Sequence, residues 1–168
     1  MGTPTNTLLR LAETQYPKRV NDPNFRLMFL RADEFNAQQA MTRILLHLEQ
    51  QQLLFGDSKV GKRITLQDMK EIPETWEALQ DGYAQILLER DRSGRVLYFE
   101  SLPHKFSKGI VGMKCSHRVG YYLIMAELER SVAAQQRGVV AIHSYLGKVP
   151  IEILVSRLLK TAALVKCL

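Results

Sequence analysis

The string Gly56-Asp57-Ser58-Lys59-Val60-Gly61-Lys62-Arg63 falls one residue short of the phosphate-cradling pattern G-x4-G-K-[ST]. Arg63 stands where the magnesium-holding hydroxyl belongs. That chemistry also needs a strand before the loop and a helix starting inside it. Here helical periodicity leads into the loop and Ile64-Thr65 delays the next helix, so the string reads as an ordinary basic loop. His47, His104, His117 and His143 show no HxxxH or HExxH spacing, and no zinc site is predicted. Ser144 beside His143 makes no catalytic pair, because neighbours on a strand point to opposite faces. A G-x-S-x-G elbow is absent. Glu89 and Asp91 flank a turn, where acids commonly serve the turn itself. Tyr98 and Phe99 would stack bases only with basic neighbours, and theirs are Leu97 and Glu100. The prediction is a protein that is not an enzyme, with no catalytic residue, metal, cofactor or nucleic-acid partner.

Charge carries the next signal. With 23 Lys and Arg against 17 Asp and Glu, the chain has a net charge of +6 and favours acidic partners. From Pro103 to Arg118 there are Lys105, Lys108, Lys114, Arg118, His104 and His117, and no acid. Lys59, Lys62 and Arg63 form a second cluster. Each is either a solvated loop or a rim that attracts anions, an anionic membrane surface first among them. Hydrophobic residues at 46% and charged residues at 24% exclude disordered and collagen-like classes. No apolar run reaches the roughly 20 residues of a membrane span; the nearest, Val149 to Val165, contains Glu152, Arg157 and Lys160. Cys115 and Cys167 are far apart. With no signal-peptide pattern, and no complete lipidation motif around Met1-Gly2 or Cys167, the expectation is a reduced, cytoplasmic protein that visits membranes transiently.

The elements that would position these groups follow from periodicity and punctuation. At 168 residues the chain is one domain's worth, or a domain with a small appendage. Residues 1–21 are weakly patterned and predict a loose arm with a short helical stretch around Leu8 to Glu13. Residues 22–80 predict a helical lobe. Asp22-Pro23 starts its first helix, and Asn36 with Gln39 caps a longer one that Gly56 ends. Thr65 with Asp68 opens a short one, with Ile64 and Met69 placed as a staple. From residue 82 onward the pattern is strand, strand, helix, strand, helix, which is α/β logic. Tyr83 to Glu89 and Arg95 to Ser101 form a hairpin about Asp91-Arg92-Ser93-Gly94. A long helix spans about Lys114 to Gln136 and closes at Gly138. Val139 to Ile142 is a short apolar run expected to be buried on both faces. Gly147-Lys148-Val149-Pro150 turns the chain into a last helix.

That last helix is apolar around nearly its whole circumference, with Ile151, Ile153, Leu154, Leu158, Leu159 and Leu164 among its residues. Five uncovered large side chains would forgo on the order of 7–15 kcal/mol of burial, comparable to a domain's entire stability. The expectation is a core that is cut short or completed by a partner.

Four strings in order resemble the CRAL-TRIO lipid-binding domains with their N-terminal helical lobe. Phe29-Leu30-Arg31-Ala32-Asp33-Glu34-Phe35-Asn36 is similar to the lobe's "FLRA-x-x-F-[DN]" signature, and the helix from Ala40 to Phe55 follows as that lobe's second helix does. Asp91-Arg92-Ser93-Gly94-Arg95 resembles the "D-x-x-G-R" hairpin. Arg137-Gly138-Val139-Val140-Ala141-Ile142 through Gly147 resembles the "R-G-V-x-x-I-x-D-x-x-G" strand and turn. Val96 replaces the usual proline and Ser144 the usual aspartate. The family's later "YPE" motif, strands and gating helix have no counterpart here, so 82–168 would be the first part of a lipid-binding lobe, C-terminally truncated.

The resemblance implies an apolar cavity that shields a lipid or lipophilic molecule, in some members a phosphoinositide, and exchanges it between membranes. Tyr98, Tyr121, Tyr122, Ile142 and Tyr145 are the predicted lining. Lys105, Lys108 and Lys114 are the predicted contacts to anionic head groups or a membrane surface. The alternative is a truncated domain whose terminal apolar helix binds a protein partner, or a fragment without independent function.

Overall fold

The computed structural model describes residues 4–102 and 109–145. Helices come first: α1 (Pro4–Gln15), α2 (Pro17–Val20), α3 (Pro23–Ala32), α4 (Ala37–Phe55), α5 (Leu66–Lys70) and α6 (Pro73–Gln80). Then follow β1 (Ala84–Arg90), β2 (Val96–Leu102), α7 (Gly109–Arg130), α8 (Val132–Arg137) and β3 (Val139–Tyr145). The chain is therefore a mixed helix-and-sheet protein.

Local chemistry explains most of the boundaries. Asp22 accepts from the Asn24 N–H at 2.9 Å and Pro23 opens α3, while Asn36 accepts from the Gln39 N–H at 3.1 Å to start α4. Thr65 and Asp68 form a reciprocal capping box on α5. Met69 is fully buried, and Ile64 packs against the same core. In the hairpin, Asp91 Oδ1 accepts from the N–H groups of Ser93 and Arg95 at 2.9 and 2.8 Å, and Gly94 takes the left-handed conformation at φ 75°. A Cβ on Gly94 would run into the Arg137 guanidinium. Arg137 thus lies over the hairpin turn, bringing two of the four resembling strings together.

Three expectations change. Residues 4–21 are not loose: α1 packs on α4, and Ala12 and Val20 are buried. The sequence hid this because the segment has few large apolar residues; a close approach to Gly61 does the docking. A Cβ there would sit 2.7 Å from Ala12 Cβ. The long helix is two helices, because the Ser131 hydroxyl accepts from the Ala134 N–H at 3.2 Å and restarts the chain as α8. The third concerns β3, which is half-buried rather than sealed on both faces, with Ile142 40% exposed. Among the described residues the sheet order is β1-β2-β3, with β1 antiparallel and β3 parallel to β2. The central strand is β2, its pairing set by register over 40 residues away. The turn at residues 147–150 and the terminal apolar helix lie outside the described residues.

Candidate functional site

Helix α7 separates the two regions where the predicted lining residues fall. On the side facing α4, Tyr121 is 1% exposed and its hydroxyl lies 3.1 Å from His47 Nε2. The His47 ring stacks on Tyr121 at 5.6 Å and meets Phe25 and Phe29 at 5.8 and 5.3 Å. Burial among these rings, helped by the Arg19 charge, lowers the His47 pKa to about 3, so the imidazole is neutral at physiological pH. Its Nδ1 is sealed from solvent and has no hydrogen-bond partner. Leaving such an atom unpaired costs about 1–3 kcal/mol. Beside it, Gln51 is buried and fully engaged: Oε1 accepts from the Gly61 N–H at 2.8 Å and Nε2 donates to the Lys62 carbonyl at 2.7 Å.

These residues floor a cleft of about 260 Å³ between α4, the 62–66 segment and α7. Tyr122, Met125, Ile64 and Leu66 wall it, and Arg19, Lys62, Arg63 and Glu129 form its rim. Arg19 sits over the Phe25 ring at 4.4 Å and pairs with Glu129. Arg63 Nε reaches the other Glu129 oxygen at 2.7 Å. Lys59 and Lys62 both bind the buried Asp68 carboxylate. Burial alone pushes that carboxyl up, but the two ammonium groups and Thr65 outweigh it and hold it well below the usual range.

The basic loop 56–63 is therefore an internal tie. α4 precedes it, and Lys59 and Lys62 are paired with Asp68. Likewise Arg118 Nε donates to the Leu54 carbonyl at 2.6 Å, closing the end of α4.

On the sheet side of α7 the predicted residues divide again. Val96, Tyr98 and Glu100 alternate toward α7 and are buried. Glu100 accepts from the Ser116 hydroxyl of α7, and its Oε2 lies 2.9 Å from His143 Nδ1 of β3. Burial, reinforced by the Glu100 charge, pushes the Tyr98 hydroxyl pKa up. In nucleophilic triads the imidazole stands between hydroxyl and acid. Here the carboxylate stands between, so His143 cannot take the Ser116 proton and the group acts as a clamp. Ile142, one residue from His143, belongs to the opposite face.

Tyr145 ends β3 opposite Leu102, and its side chain lies outside the described residues. Lys114 is exposed on α7; Lys105 and Lys108 lie outside the described residues. The structure thus joins Tyr121 to Tyr122 and keeps Tyr98 and Ile142 apart from them and from each other.

The sequence pattern assigned no site role to His47, Gln51 or Glu129, nor to the Glu100–Ser116–His143 clamp. The one local signal was a polar residue, His47 or Gln51, at helical spacing from Ile44 and Leu48. Among the described residues no group of three or more His, Cys, Asp or Glu is placed to hold a metal. Comparison with protein-family models and with curated proteins finds no match for this chain.

Proposed function

We propose that the chain binds a lipid or other lipophilic molecule against the sheet face turned away from α7, and exchanges it at anionic membrane surfaces. One observation carries this reading. Leu97 pairs with Val140 and Phe99 with Ile142 across the parallel β2–β3 ladder, making an adjoining apolar set on that face. Parallel strands ordinarily have both faces covered. Val96 and Tyr98 on the α7 side are sealed, whereas these four are half-buried or exposed. An acyl chain laid along them gains about 0.8 kcal/mol for each buried CH₂, so few polar contacts are needed. The resemblance to CRAL-TRIO domains supports the same reading, since the sheet floors the cavity in that family. The α4–α7 cleft, at about 260 Å³, is below the roughly 300–1,000 Å³ of ligand pockets and too small for a whole lipid.

The test is organic extraction and lipid mass spectrometry on the purified chain, before and after incubation with mixed phosphatidylcholine–phosphatidylserine vesicles. Near-stoichiometric lipid is expected in the parent chain, with at least tenfold less in Ile142→Glu, whose exposed site tolerates the charge. A monodisperse, folded and empty protein that takes no lipid from vesicles would overturn the reading and favour a protein-interaction module.

A further inference from the structure

We propose that the α4–α7 cleft is a second binding site, independent of the sheet face, for a small monoanion with an apolar body, of the class of medium-chain carboxylates. Three features of the cleft specify such a ligand. The first is size: about 260 Å³ lies below the roughly 300–1,000 Å³ of ordinary ligand pockets, which limits the occupant to a short molecule. Polarity is the second. Ile64, Leu66, Tyr122 and Met125 offer an apolar wall above a floor that includes the stacked His47 and Tyr121 rings, while the polar groups gather at the rim.

The third feature is charge. Lys62 is engaged by Asp68, so the rim reduces to two guanidinium groups sharing the single carboxylate of Glu129. One positive charge remains uncompensated, which matches one negative charge on the ligand. Arg63 is the exposed half of this pair. Its side chain is 67% exposed, against 20% for Arg19, which is anchored over Phe25. Arg63 can therefore turn from Glu129 onto a ligand carboxylate and present two parallel N–H donors. Inorganic phosphate carries no body to fill the apolar wall and should bind far more weakly.

Calorimetric titration of the whole 168-residue chain with octanoate, octanol and inorganic phosphate tests this. Octanoate is expected to bind at least tenfold more tightly than either of the others. Arg63→Gln should weaken octanoate at least tenfold, in line with loss of one charged hydrogen bond. Arg92→Gln, the same charge change at the exposed hairpin tip, should leave it unaltered. Octanoate should shift the NMR signals of the Gln51 side-chain amide and the Tyr121 ring. Equal binding of octanol, unchanged affinity in Arg63→Gln, shifts confined to β2 and β3, or no heat at millimolar octanoate would each overturn the proposal. Because Arg63 lies away from the sheet face, lipid recovered normally from Arg63→Gln separates this site from the one proposed above.

Discussion

A buried imidazole that stays neutral links His47 to acid stability. An ordinary histidine titrates near 6.5, and the unfolded chain does so; in the fold His47 holds out to about 3 because burial and Arg19 oppose its charge. The folded pKa is depressed, so between those values the unfolded state binds more protons and stability falls with pH. From pH 7 to pH 5 this one group should remove about 2 kcal/mol. Urea melts at the two pH values check it: His47→Gln should lose about 2 kcal/mol less than the parent chain over that interval. Equal losses would show that His47 titrates normally in the fold. Asp68, whose carboxyl is held low by Lys59 and Lys62, acts in the same direction only below about pH 4, outside this window. Neither partner set was legible from spacing. Lys59, Lys62 and Asp68 are close in sequence, yet only the capping box shows that the carboxylate turns back toward the lysines. His47 and Tyr121 are 74 residues apart.

Strand β3 is held by a polar clamp as well as by its ladder. Glu100 of β2 is 4% exposed and reaches Ser116 on α7 and His143 on β3. A buried carboxylate joined to two elements is expensive to remove, because the Ser116 hydroxyl and the His143 ring both lose its oxygens. Glu100→Ala should cost about 3–5 kcal/mol in denaturant melts. Glu100→Gln keeps an acceptor for Ser116 and should cost about 1–2 kcal/mol. Hydrogen exchange should show β3 opening first in the alanine variant; similar losses in the two variants would mean that the clamp carries no coupling. Elements announced by local chemistry were legible: the starts of α3, α4 and α5, the Asp91–Gly94 turn and the Gly138 stop. Those announced weakly were not. The predicted lobe passed over α6, although Pro73 occupies its first turn after Ile72. Ser131 reads as one polar residue in a periodic run until its hydroxyl is seen capping α8. Among the described residues β3 stands at the sheet's margin, a place that depends on register with β2, which no local string encodes.

At the scale of the whole molecule, apolar periodicity marks Tyr98, Tyr121, Tyr122 and Ile142 alike, but strand parity and the two sides of α7 send them to three environments. Sequence pattern could say that each meets apolar surroundings; only the packing says which ones meet each other. The same holds for charge. A net +6 reads as a generally basic surface, yet Lys59, Lys62 and Arg118 are committed to Asp68 and the Leu54 carbonyl. An attraction to anionic membranes must then come from basic residues without such commitments, and Lys114, exposed on α7, begins that set. No helix among the described residues is long and apolar enough to cross a membrane. A lysine near an anionic surface contributes about 1 kcal/mol, and three together about 3 kcal/mol. Converting Lys105, Lys108 and Lys114 to Glu should therefore weaken co-sedimentation with phosphatidylserine-containing vesicles by at least about 100-fold, while neutral vesicles show no change. Raising the salt should weaken the parent chain toward the variant, because charges at a wet surface are screened within about 8–10 Å. If the triple variant binds anionic vesicles as the parent does, the positive charge of this chain serves its fold and the small anion of the cleft, and membrane exchange is no part of its function.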